Sequence, residues 1–119
     1  MGNPIVHFEI RTQDPAAGRD FYSELFGWNF IDAPPEHVDD YAYIDSMTDR
    51  ATIHGGISTP QGGKQMVTVY AEVDDIHTAL RKAIELGAKI VQEPYDVPGV
   101  TIALFDDPQG NTVGVAQPR

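Results

Sequence analysis

The chain has 119 residues, a formal net charge of −10 and no cysteine, and each of these facts narrows what it can be. The length supports one domain-sized core and is too short for two independent domains. With 18 acidic against 8 scattered basic residues, the clustered Lys and Arg that nucleic-acid phosphates or an anionic membrane require are missing, while the lack of cysteine removes disulfides, thiolate metal ligands and a Cys nucleophile.

A reducing cytoplasm is compatible with that composition and is the expected location. No apolar run approaches the roughly 18 residues of a membrane span. The opening Met1-Gly2-Asn3-Pro4 leads straight into a strand, without the basic and apolar regions of a signal peptide. Gly2 does not make a myristoylation signal, because Val6 stands where Ser or Thr is needed.

Ile5 to Arg11 alternates, with Val6, Phe8 and Ile10 on one face and His7, Glu9 and Arg11 on the other, the pattern of a half-buried strand. Asp14 then offers an N-cap and Pro15 a first helical residue. Phe21, Tyr22, Leu25 and Phe26 recur at helical spacing before Gly27 stops the helix, which should cover the apolar face of the first strand. Three more strands are predicted at about 28–32, 40–46 and 51–58. Pro34-Pro35 makes one link irregular, and residues 58–64, rich in Gly, Pro and Gln, read as a linker. Gly62-Gly63-Lys64 in that stretch lacks the upstream Gly spacing and the Ser or Thr of a phosphate loop.

The pattern then begins again. Val67, Val69, Ala71 and Val73 oppose Thr68, Tyr70 and Glu72; Asp74 or Asp75 caps a helix with Ile76, Leu80, Ala83 and Ile84 as its buried stripe; Gly87 ends it. Strands follow at about 88–93, 99–105 and 111–117, with Pro94 to Pro98 making an irregular link and Asp107 to Asn111 a tight turn. Asp14 to Gly27 and Asp74 to Gly87 each span 13 positions, and Ala51-Thr52-Ile53-His54 lies over Asn111-Thr112-Val113-Gly114 at an offset of 60. The chain is thus a tandem of one supersecondary unit, and the seam between the copies is where a site is expected. The fold class is α+β: two β-α-β-β-β modules, about 4–58 and 65–118, forming a cupped mixed sheet with helices on its outer face, in a single domain over 1–119.

Two motifs carry a resemblance. Asp-Pro-x-x-x-x-x-Phe-Tyr-x-x-x-Phe-Gly-Trp (Asp14 to Trp28) and Phe-Asp-Asp-Pro-Gln-Gly-Asn (Phe105 to Asn111), set in the doubled module, resemble the vicinal oxygen chelate superfamily. That superfamily includes glyoxalase I, the bleomycin and fosfomycin resistance proteins and the extradiol dioxygenases. The His7-Phe8-Glu9 opening, with Phe26-Gly27-Trp28, is most similar to its uncharacterised lactoylglutathione-lyase-related branch. The resemblance covers almost the whole chain and specifies the fold better than the reaction. It implies a protein that binds or transforms a small oxygenated metabolite in a concave cleft, with lyase- or isomerase-like chemistry if it is an enzyme. The alternative is a metal-free small-molecule binder similar to the drug-sequestering members. A homodimer is also implied.

By position, the resemblance implies His7 and His54 as candidate ligands for a divalent metal, with Thr68 and Gly114 standing where two further ligands would be. A stable site generally wants three or four protein ligands, so the set is incomplete. His7 is otherwise a cavity-lining polar residue, a general base or a solvated strand residue. His54 precedes Gly55-Gly56, where missing side chains admit a ligand or another backbone, or mark a bulge. Glu9 and Arg11 either pair with each other or meet a polar substrate. Tyr70 and Glu72 are further candidates for substrate contact, Glu72 also as a base or an extra metal ligand, against an ordinary cross-strand polar pair. Tyr41 and Tyr43 suit a ligand wall or plain packing. Asp39-Asp40 reads as a solvated turn, and His37 and His77 are given no role.

Overall fold

The computed structural model describes residues 2–37, 40–60 and 63–119; Asp39, of the Asp39-Asp40 turn, and Gly62, of the glycine pair before Lys64, lie outside the described residues. Its elements run β1 (Ile5–Arg11), α1 (Pro15–Phe26), β2 (Asn29–Asp32), β3 (Ala42–Asp45), β4 (His54–Ser58), β5 (Met66–Glu72), α2 (Ile76–Glu85), β6 (Lys89–Val97), β7 (Val100–Asp106) and β8 (Thr112–Pro118). The α+β class and the doubled β-α-β-β-β order are those expected from the sequence. The chain forms two compact units, residues 7–67 and residues 1–6 with 68–119. Residues 1–6 go with the second unit because Glu72 N donates to Pro4 O and Asn3 Nδ2 donates to Glu72 O.

In the first unit the strand order is β2-β3-β4-β1. The β2/β3 and β3/β4 pairs are antiparallel and β1/β4 is parallel, with His7 beside His54, Glu9 beside Gly56 and Arg11 beside Ser58. Because side chains alternate across a strand, this register puts His7, Glu9, Arg11, His54 and Tyr43 on one face. Ile10, Ala42, Ile44 and Ile57 form the core on the other, joined by Phe8, Tyr22, Trp28 and Phe30. Full burial of an isoleucine, as at Ile57, contributes about 1.5–3 kcal/mol of transfer free energy.

Helix α1 starts where the sequence says it should. Asp14 accepts from Ala17 N at 3.1 Å, Pro15 opens the helix, and Gly27 closes it in the left-handed conformation with φ 71°. Its apolar stripe does not lie as expected. Only Tyr22 of the four large residues packs on the core, while Phe21, Leu25 and Phe26 are all more than half exposed. The reason lies at Gly18, one turn earlier on the inward side, where a Cβ would come within 2.9 Å of Ile57 Cδ1. The helix approaches the sheet along Gly18 and Tyr22, and residues 21, 25 and 26 rotate outward.

The second unit orders its strands β5-β8-β7-β6, with β5/β8 parallel and the other pairs antiparallel. Asp75, not Asp74, caps α2, accepting from Thr78 N at 3.0 Å. That bond and its neighbours hold the Asp75 carboxyl below its usual range. Ile76 and Leu80 pack with Ala103 and Val115, whereas Ile84 is half exposed. The expected link at 94–98 is not a link: β6 continues through Pro94 to Val97, with register shifts around Gln92. Proline is tolerated there because β6 ends the order and pairs only with β7 among the described residues, so no second ladder needs its missing N–H. The turn at Asp107 is as expected, its carboxylate accepting from Gln109 N and Asn111 N, both at 2.9 Å. Asn111 is the main cause of that carboxyl's lowered pKa.

Candidate functional site

The polar face of the first unit carries His7, Glu9, Arg11 and His54, of which Glu9 and Arg11 are buried, His7 is half-buried and His54 is exposed. Glu9 and Arg11 are 3% and 7% exposed. Two residues apart on one strand, their side chains leave the same face, and Arg11 Nε donates to Glu9 Oε1 at 2.6 Å. The ion-pair alternative is therefore the one the fold adopts. A buried pair of this kind fixes geometry, since neither charge can leave the other cheaply.

One residue pair earlier on β1, His7 Nε2 and Tyr41 Oη share a hydrogen bond of 2.7 Å whose direction is set by the tautomer. Tyr41 is 7% exposed. It can lie there because position 56 is glycine: a Cβ at that position would fall inside the Tyr41 phenol. His37 stacks on the Tyr41 ring at a centroid distance of 4.0 Å, and Tyr43 meets both rings edge-on. Burial pushes the His7 pKa below its ordinary value of 6.5, and His54 and His37 push it further, against the opposing pull of Glu9. At neutral pH His7 is therefore an uncharged imidazole. Next to a phenol it can accept or donate a proton without first losing a charge.

Beside this cluster opens a cleft of about 330 Å³, lined by Arg19, Asp32, Pro34, His37, Asp40 and Tyr41 among others. Arg19 Nη1 and Asp32 Oδ1 meet across its wall at 3.0 Å. The volume is at the low end of small-molecule sites.

Thr68 and Tyr70 of the second unit are buried to 4% and 1% exposure, whereas Val67 and Val69, on the apolar side of the alternation, are exposed. Thr68 Oγ1 donates to Thr112 O at 2.8 Å. Tyr70 lies beside Gly114 in the parallel register, and a Cβ at 114 would fall inside the Tyr70 ring. Glu72 is partly buried at the end of the strand, its backbone held by Pro4 and Asn3.

These observations bear on a divalent metal. The first unit offers His7 and His54 side by side, but His7 Nε2 is already bonded to Tyr41. In the second unit Thr68 has donated its hydroxyl to a backbone carbonyl, and position 114 has no side chain and no room for one. Among the described residues no three His, Asp or Glu side chains are grouped to hold an ion. The described residues do not fit a bound metal.

Sequence reasoning missed His37, which it assigned no role, and read Tyr41 as a ligand wall or plain packing rather than as the partner of His7. The Gly56 position, two residues after a candidate His and on the same strand face, was the available signal: a strand glycine there asks which neighbour fills the space.

Residues 4–115 match the family described as the Glyoxalase/Bleomycin resistance protein/Dioxygenase superfamily. Among curated relatives, CFP32 of Mycobacterium tuberculosis, named provisionally as a glyoxylase, is 27% identical over 92% of this chain and 43% of its own length. The anthracycline biosynthesis protein DnrV of Streptomyces peucetius is 28% identical over 91% of this chain and 44% of its own length. The chain thus spans less than half the length of both. Among solved structures, a variant of Streptomyces coelicolor methylmalonyl-CoA epimerase in complex with 2-nitronate-propionyl-CoA shares the fold, with a TM-score of 0.67 at 15% identity over 98% of this chain and 97% of that one.

Proposed function

This chain belongs to the glyoxalase/bleomycin resistance protein/dioxygenase superfamily, and from that premise we propose that it binds a small oxygenated metabolite on the polar sheet face of its first module, around His7 and Tyr41. The observation that carries the reading is the hydrogen bond between the buried Tyr41 phenol and the half-buried His7 imidazole, 2.7 Å long, beside a buried Glu9–Arg11 pair. A His–Tyr pair is suited to a carbonyl or hydroxyl oxygen: when the imidazole Nε2–H donates to the phenol oxygen, the phenol O–H can donate to a ligand carbonyl, and when the phenol donates to Nε2, its oxygen can accept from a ligand hydroxyl. His54, beside His7 in the parallel register and exposed, is a further proposed contact on the same module.

The test is a thermal-shift screen of hydroxy- and keto-compounds against wild type and Tyr41→Phe. Compounds that raise Tm in wild type and lose that effect in Tyr41→Phe support the reading; no hit, or hits indifferent to the substitution, overturn it. Incubating a hit with the protein and looking for a product by mass spectrometry separates transformation from binding.

A second reading is favoured by the aromatic stack of His37, Tyr41 and Tyr43: sequestration of a planar aromatic compound without catalysis. Tight binding of a polycyclic aromatic probe, abolished by His37→Ala and with no product, would distinguish it. Homodimer assembly and a cytoplasmic location complete the proposal; sedimentation at micromolar concentration checks the first. No helix is long and apolar enough to cross a membrane among the described residues.

A further inference from the structure

The disagreement between the family's metal site and this chain's residues has a local cause. In β8, Gly114 lies beside Tyr70 of β5 in the parallel register, and the Tyr70 ring stands where the first side-chain carbon of any other residue at 114 would be. Tyr70 is 1% exposed and among the largest fully buried side chains of the chain. A ring so enclosed cannot swing aside to admit a ligand side chain, because interiors are close-packed and a displaced ring needs an empty volume to enter. Two strand residues away, the Thr68 hydroxyl is already donated to Thr112 O.

We infer that Tyr70 and Gly114 form a plug that has taken the place of metal ligation in the second module, so that this chain functions without a bound divalent metal. The inference does not rest on His7 and Tyr41 being the ligand-binding pair, and either can fail without the other. It explains two residues with one contact: glycine at 114 is the residue the tyrosine requires.

Two measurements on the full chain test it. The first is elemental analysis of protein purified without chelator or affinity metal, with thermal shifts on adding zinc, nickel and manganese. The expected result is substoichiometric metal and no specific rise in Tm; near-stoichiometric metal, removed by chelator with a fall in Tm, overturns the inference. The second compares Gly114→Ala in wild type and in Tyr70→Ala. The added methyl should lower Tm by about 5 °C or more where the ring is present and by no more than about 1 °C where it is absent. Tyr70→Leu serves for the same comparison if Tyr70→Ala does not fold. Equal tolerance of alanine at 114 in both backgrounds overturns the plug.

Discussion

Replacing Arg11 with Met should be among the most damaging single changes in the first module. The guanidinium and the Glu9 carboxylate are both buried, with Nε and Oε1 2.6 Å apart. With charge centres about 4 Å apart and an effective dielectric of about 20, their attraction is about 4 kcal/mol. Met keeps most of the Arg volume, so packing is largely preserved while Glu9 loses its cation. Removing one partner of a buried pair costs about 3–5 kcal/mol, a large share of the 5–15 kcal/mol typical of a domain. Urea unfolding followed by the fluorescence of Trp28, which packs against the first module's core, reads the effect. With a slope of about 1.5 kcal/mol/M, the midpoint should fall by about 2–3 M. Adding Glu9→Gln should recover part of the loss, giving a coupling of about 2 kcal/mol in the double-mutant cycle. A loss under about 1 kcal/mol for Arg11→Met would refute the reasoning, since that is the behaviour of a solvent-exposed pair.

Gly56→Ala drives a methyl into the Tyr41 phenol and should cost about 1–3 kcal/mol; NMR should show the His7–Tyr41 hydrogen bond lost and the His7 imidazole titrating at higher pH. Because burial depresses the His7 pKa below 6.5, the unfolded chain binds a proton there before the folded chain does. This contribution to stability is complete above about pH 6.5 and is lost as pH falls toward the folded value. His7→Asn should flatten that acid-side slope in urea titrations at pH 5 to 7, and an unchanged slope would assign it elsewhere. Asp14→Ala removes the acceptor for Ala17 N and should cost about 1 kcal/mol of stability by the same urea assay; Asp74→Ala, which removes no cap, should cost almost nothing.

The sequence by itself determined the doubled β-α-β-β-β order, the caps at Asp14, Gly27 and the Asp74-Asp75 pair, and the face shared by His7, Glu9 and Arg11, because each of these follows from residues within one turn or one strand. Local rules fall short where a second strand or a helix contact decides. Pro94 reads as a chain breaker until β6 is known to end its sheet order, and the apolar stripe of α1 reads as buried until Gly18 is seen to set the line of approach. The same holds for the candidate site. Which residues could do chemistry was legible; that Tyr41, 34 positions from His7, bonds to it over Gly56, and that Tyr70 fills the space above Gly114, was not. A glycine in a strand records only that something comes close. Strand register decides what, because it brings together residues that no local pattern connects.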